Sequence, residues 1–233
     1  MTRHKPKTAE EFLAELNADP AHVARRAAQN DRREMREAEI ALATQQLRDE
    51  LGAAGYPVGT LDDLAKRYAP LSAQLVDVLL RWIPIVDDKV VKEQLVRALA
   101  VAETGFDGGV LASEFQRSPD AALRYAIANT LATARVRGAG TWILDALNDP
   151  SSGTARQMLA LAAARRSPPE DANRALLQLL DELPGHAALG LAESGGGQEL
   201  AVLEKRYPSA KGWVKKEIGR AISVIKRRLN QGQ

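Results

Sequence analysis

The sequence predicts an all-α fold, a solenoid-like stack of short helix pairs, and three observations predict it. Apolar residues make up 45% of the 233 residues but aromatics only 4%, so the core is built from Ala, Leu, Val and Ile, and strand-like aromatic and Thr-rich runs are missing. A helical segment recurs at a spacing of 32 residues. Between helices the same punctuation returns: Ser118-Pro119-Asp120, Asp149-Pro150-Ser151, Pro184-Gly185 and Pro208-Ser209.

Taken in order, Thr8-Ala-Glu-Glu11 reads as a capping box opening a short helix to Asn17. Asp19-Pro20 starts a second helix, which Gly52 or Gly55 ends. This helix is long and charge-laced, with Arg25, Arg26, Arg32, Arg33, Glu34, Arg36, Glu37 and Glu39. Its apolar positions (Met35, Ala38, Leu42, Leu47, Leu51) become frequent only in the second half, so the first half is expected to face solvent or a partner. Thr60-Leu-Asp-Asp63 caps a further helix, Leu61–Tyr68. Residues 1–70 therefore form an N-terminal helical extension and 71–233 the repeat region.

The repeat can be read residue by residue. Asp88-Lys-Val-Val-Lys-Glu-Gln-Leu-Val-Arg-Ala-Leu-Ala100 shifted by 32 becomes Asp120-Ala-Ala-Leu-Arg-Tyr-Ala-Ile-Ala-Asn-Thr-Leu-Ala132. The aspartate, a basic residue (Lys92, Arg124) and two aliphatics (Leu95 and Ile127, Leu99 and Leu131) coincide. Further shifts give Ala155-Arg156, Leu159 and Ala163, then Ala187-Ala188 and Leu191. The last copy aligns Val91–Leu99 with Val214–Ile222. A preceding helix is expected at Leu71–Ile85, Gly108–Arg117, Thr141–Asn148, Asp171–Leu183 and Glu199–Tyr207. A pair this short cannot bury its apolar stripe alone, so neighbours must bury it for each other.

An aspartate in the turn, an aliphatic–basic pair, then Ala and Leu at helical spacing resembles the HEAT repeat. The period of about 30 residues is similar to its short bacterial variety, and the likeness covers about 71–229. The resemblance implies a right-handed α-α superhelix of about five pairs. It also implies that Lys92, Arg124, Arg156 and Lys215 pair with turn aspartates (Asp88, Asp120, Asp149) as an internal ladder.

The absence of cysteine excludes disulfides and thiolate metal sites and fits a reducing cytoplasm. The basic stretch Met1–Lys7 is not followed by the apolar run of a signal peptide. Leu75–Val86, the most hydrophobic stretch, is interrupted by Asp77, Arg81 and Pro84 and is too short to span a bilayer. A soluble cytoplasmic protein is expected. His4, His22 and His186 sit in unrelated contexts, Gly195-Gly196-Gly197 lacks the Lys-Ser/Thr of a P-loop and reads as a flexible connection, and no serine lies in a nucleophile elbow. No catalytic residue, cofactor or metal is expected.

The exposed positions of the repeated helix are Glu93 and Arg97, then Tyr125 and Asn129, Gln157 and Leu161, Leu189 and Glu193, and Lys216 and Arg220. A phosphate-tracking groove would be uniformly positive; this succession is acidic, aromatic, amide, aliphatic and basic, which suits a protein partner. Residues 200–233 hold nine basic and two acidic residues. The amphipathic helix Trp213–Leu229 within them is expected to cap the stack, or to meet nucleic acid, an acidic protein or an anionic lipid surface. The resemblance implies a non-catalytic scaffold, adaptor or immunity-type inhibitor. It also admits a nucleic-acid binder similar to HEAT-like DNA glycosylases, or a short-HEAT enzyme acting on bilins, for which no catalytic acid can be named.

Overall fold

Helix ends follow local chemistry. In the computed structural model, which describes residues 8–231, α1 (Ala9–Ala18) opens on the expected box: Glu11 N–H donates to Thr8 Oγ1 at 3.2 Å and Thr8 N–H to Glu11 Oε2 at 2.9 Å. Asp19 caps α2 (Pro20–Ala43) by accepting from Ala21 N–H at 2.9 Å. The single helix expected to reach Gly52 or Gly55 is instead broken at Thr44, which is buried and turns its hydroxyl back onto Ile40 O at 2.7 Å. Such back-bonding competes with the helix ladder. α3 (Gln45–Ala53) follows and buries Leu47 and Leu51. α4 (Asp63–Tyr68) starts later than expected, after a turn in which Asp63 N–H bonds to Thr60 O, and no side chain caps it.

The chain divides into two compact units between Gln46 and Leu47. In the first, α1 packs on α2, and neither helix has a buried residue. The second holds five helix pairs: α5 (Ala73–Trp82) with α6 (Lys89–Leu99), α7 (Gly109–Arg117) with α8 (Ala121–Thr133), α9 (Gly140–Asn148) with α10 (Arg156–Arg166), α11 (Pro169–Leu179) with α12 (Pro184–Ser194), and α13 (Gly197–Arg206) with α14 (Gly212–Gln231).

The second helices pack in series, α6 on α8, α8 on α10, α10 on α12 and α12 on α14. The first four contribute the expected stripe to the core: Val91, Leu95 and Leu99; Leu123, Ile127 and Leu131; Leu159 and Ala163; Ala187 and Leu191. On α14 the buried residues are Ile218, Ala221 and Ile225, while the expected Val214 and Ile222 are half-buried. Small residues let backbones approach where α12 meets α10: a Cβ on Gly190 would lie 2.8 Å from Ala160 O.

Two features escaped the sequence reading. The segments after α6 and α8 form two-residue parallel strands, β1 (Phe106–Asp107) beside β2 (Val136–Arg137), and Leu71 bridges to Ala102 in the same sense. A signal existed, because Gly105-Phe-Asp-Gly108 and Arg135-Val-Arg-Gly138 repeat an apolar residue and a glycine at a spacing of 30. Gly108 is needed there, since a Cβ would sit 2.7 Å from Val136 Cγ1. The other feature is the 3₁₀ segment Pro150–Ala155, capped by Asp149, which leads into α10. The Gly195-Gly196 link is also tight rather than a loose connection: a Cβ on Gly195 would meet Leu191 O at 2.6 Å. Among the described residues no helix is long and apolar enough to cross a membrane.

Candidate functional site

The repeated aspartates are helix caps. Asp88 accepts from Val90 and Val91 N–H at 2.9 and 3.2 Å, and Asp120 from Ala122 and Leu123 N–H at 2.9 and 3.0 Å. Asp149 takes Ser151 N–H at 2.8 Å and Ser151 Oγ–H at 2.6 Å. These bonds hold the carboxyls of Asp120 and Asp149 below the usual carboxylate range: the Leu123 amide leads for Asp120, followed by Lys89, and Ser151 leads for Asp149.

Of the ladder implied by the resemblance, Arg124 and Arg156 act on Asp149 through their charge, but their hydrogen bonds go elsewhere. Arg124 Nε donates to Phe115 O at 3.1 Å and Arg156 Nε to Leu147 O at 2.8 Å, each nine residues upstream at the end of the preceding helix. The repeated guanidinium therefore closes the C-terminus of its partner helix, where carbonyls lack intrahelical donors. Lys92 reaches Glu114 Oε2 at 2.7 Å, and Lys215 lies over the Tyr207 ring at 5.1 Å. Asp120 makes its ion pair with Lys89, at 3.0 Å. The carboxylates cap helix amides, and Arg124 and Arg156 each give their Nε–H to a carbonyl at a helix end.

The candidate partner face is displayed on successive helices. Glu93, Tyr125 and Gln157 are half-buried at matching positions of α6, α8 and α10, as is Leu189 on α12, while Lys216 on α14 is exposed. One turn on, Arg97 and Arg220 are exposed and Asn129 is half-buried. Glu93 and Arg97 pair at 2.6 Å, and Glu193 on α12 receives Arg165 from α10 at 2.8 Å. The strip is polar, aromatic and aliphatic by turns, but Glu93, Tyr125, Asn129, Gln157, Leu161 and Leu189, expected to be exposed, are half-buried between neighbouring helices.

Along the turns between helices runs a row of grooves, each lined by the basic residue of the 32-residue period. The first, about 610 Å³, is lined by Lys89, Lys92, Glu114, Arg117 and Asp120 among others. Most of its charges are paired internally: Glu114, with a side chain only 4% exposed, takes both Lys92 and Arg117, and Asp120 takes Lys89, while the exposed Asp87 lies outside these pairs. The second, about 410 Å³, brings Phe115, Gln116, Trp142, Asp145 and Asp149 around Arg124. The third, about 200 Å³, holds Arg156 paired with Glu182 at 2.5 Å. Sequence reasoning missed Glu114 and Trp142, whose surroundings depend on neighbouring repeats.

Three cations of the basic C-terminal region are engaged within the chain. Lys226 pairs with Glu204 at 2.6 Å, and Arg206 with Asp181 at 2.8 Å. Arg228 donates to Gly195 O at 2.7 Å and also to Ala192 O, at the end of α12. Trp213 stands 4.9 Å from His186, and burial pushes that imidazole below its ordinary value. His22 lies on α2, and His4 and Met1–Lys7 lie outside the described residues. Among the described residues no three His, Cys, Asp or Glu side chains converge to hold a metal ion.

Comparison of the chain with family models, curated proteins and solved structures returned no match.

Proposed function

We propose that the chain is a HEAT-type α-solenoid that acts as a non-catalytic adaptor, scaffold or inhibitor, binding a protein partner along the strip of second helices. One observation carries this reading. Positions that build the stack keep one chemistry from pair to pair, whereas Glu93, Tyr125, Gln157, Leu189 and Lys216, at one position of five serially packed helices, change chemistry at each step. A surface of constant geometry and varied chemistry suits a heterogeneous protein surface, with Tyr125 as its aromatic anchor.

The alternative, nucleic-acid binding through the basic C-terminal pair, draws on the surplus charge of residues 200–233. It is weakened because Arg206, Lys226 and Arg228 are already engaged by carboxylates and carbonyls. A cytoplasmic setting belongs to the same proposal.

The test is affinity capture of the tagged full chain from its native cells, with nuclease treatment and a salt gradient. A stoichiometric protein that survives nuclease and is lost in the double variant Glu93→Arg, Arg97→Glu is the expected result. Nucleic acid that elutes steeply with salt and depends on Lys215, Lys216 and Arg220 would overturn it.

A further inference from the structure

We propose that the groove between α7 and α9 binds a basic side chain, with an arginine guanidinium as the matching group, presented by a peptide segment of a partner. The peptide source rests on the protein-partner reading; the chemistry of the groove does not.

The three turn grooves are variants of one architecture, and their differences isolate the middle one. In the first, three cations stand against three carboxylates: Lys89 meets Asp120 at 3.0 Å, Lys92 meets Glu114 at 2.7 Å with Arg117 on the same carboxylate, and the exposed Asp87 lies outside these pairs. In the third, Arg156 meets Glu182 at 2.5 Å. In the middle groove the resident cation hydrogen-bonds to carbonyls and acts on Asp149 only through its charge: Arg124 donates to Phe115 O and to Ser151 O, at 3.1 and 3.0 Å. Its guanidinium also covers the Phe115 ring, 5.1 Å from the centroid. Asp145 is exposed, and among the described residues its carboxylate makes no hydrogen bond and no ion pair. The groove therefore holds two carboxylates against one guanidinium, and one carboxylate is unmatched.

Geometry supplies the rest of a cation site. Trp142, Asp145 and Asp149 stand three and seven residues apart, hence on one face of α9 and at its end. The indole is half-exposed and edge-on to Phe115 at 5.2 Å, which fixes its orientation. The site lies at the last turns of α7 and α9, where helix dipoles favour positive charge, and α9 has no basic residue in its last turn. Asp149 is held ionised by its bonds from Ser151. A planar guanidinium can stack on the indole while its edge forks a carboxylate, which a lysine ammonium cannot do. A volume of about 410 Å³ accommodates such a side chain with adjoining backbone.

The experiment titrates the full ¹⁵N-labelled chain with the acetylated, amidated tripeptide Gly-Arg-Gly, and with counterparts carrying citrulline or lysine in place of arginine. The Trp142 indole signal, assigned through Trp142→Phe, is the readout. Expected are saturable shifts of that signal and of the Asp145 amide with the arginine peptide, at least tenfold weaker binding of the citrulline and lysine peptides, and a similar loss in Asp145→Asn with an unchanged melting temperature. No saturable shift, shifts centred elsewhere, or equal binding of the citrulline peptide overturns the site; equal binding of the lysine peptide overturns the guanidinium assignment. The citrulline comparison uses the unaltered chain, so it stands even if a variant misfolds. Should the peptide fail while a captured partner still depends on Glu93 and Arg97, this site falls and the protein-partner reading survives.

Discussion

Helix α2 runs for 24 residues without a buried side chain, whereas α6 buries five in 11 residues, Val91, Leu95, Val96, Ala98 and Leu99. Local forces hold the first: the Asp19 cap and exposed pairs such as Arg33–Glu37 at 2.7 Å and Arg36–Glu39 at 3.1 Å, each pair contributing about 0.2–0.5 kcal/mol. The second is held by a neighbour. Thr130 Oγ1–H on α8 donates to Val96 O at 2.8 Å, where Ala100 N–H has turned to Arg97 O and left that carbonyl without an intrahelical donor. α2 also leaves Val23, Met35 and Leu42 exposed, beside Phe12 and Leu13 of α1. One helix is thus specified by its own sequence and the other by the helices stacked on it.

The largest expected effect that would break this contrast is a cavity in the stack. Ile127→Ala, at a side chain with no exposed surface, should cost about 2–5 kcal/mol in urea denaturation of the repeat unit; a loss well under that range would mean that α8 is not held by its neighbours. Next comes Thr130→Val, which strips Val96 O of its donor across the repeat junction and should cost about 1–3 kcal/mol. Hydrogen exchange should then quicken at the end of α6 as well as in α8.

In the other region, Thr8→Ala removes half of the capping box. It should weaken α1 by about 1 kcal/mol while the unfolding midpoint of the repeat unit stays put; a shifted midpoint would erase the distinction between local and stacked helices.

The smallest effects are electrostatic. Asp120 and Asp149 have depressed folded-state pKa values, so their contribution is present above the ordinary carboxylate range and lost as pH falls through the folded values. His186 is also depressed, by burial: the unfolded chain takes up its proton first, and stability should decline as pH drops below the ordinary histidine value near 6.5. His186→Gln should flatten that step in a thermal-melt series between neutral and mildly acidic pH.

Much of the fold was legible because helix signals are local. The 32-residue recurrence located α6, α8 and α10, the Thr8 box located α1, and the apolar stripe named Leu95, Ile127 and Leu159 as core. The break at Thr44 was not legible, since threonine is tolerated in helices and only its burial and back-bond mark the stop. Of the candidate site, the period put Glu93, Tyr125 and Gln157 at one helical position, but the middle groove was invisible: Phe115 and Trp142 come from different repeats and become a corner only when α7 and α9 are side by side.

The sequence by itself determined where most of the helices lie, which face of α6, α8, α10 and α12 is apolar, and that Asp88 and Asp120 begin helices, because those features depend on neighbours three or four positions away. The tertiary structure alone decided where the orphan carbonyls at helix ends find donors. Phe115 O and Leu147 O are closed by Arg124 and Arg156, Val96 O by Thr130, and Ala132 O by Arg165 from the following pair at 2.9 Å. A carbonyl at a helix end accepts from whatever donor the fold brings within about 3 Å, and that donor stands 9 to 34 residues away in the chain, beyond the reach of any helical period.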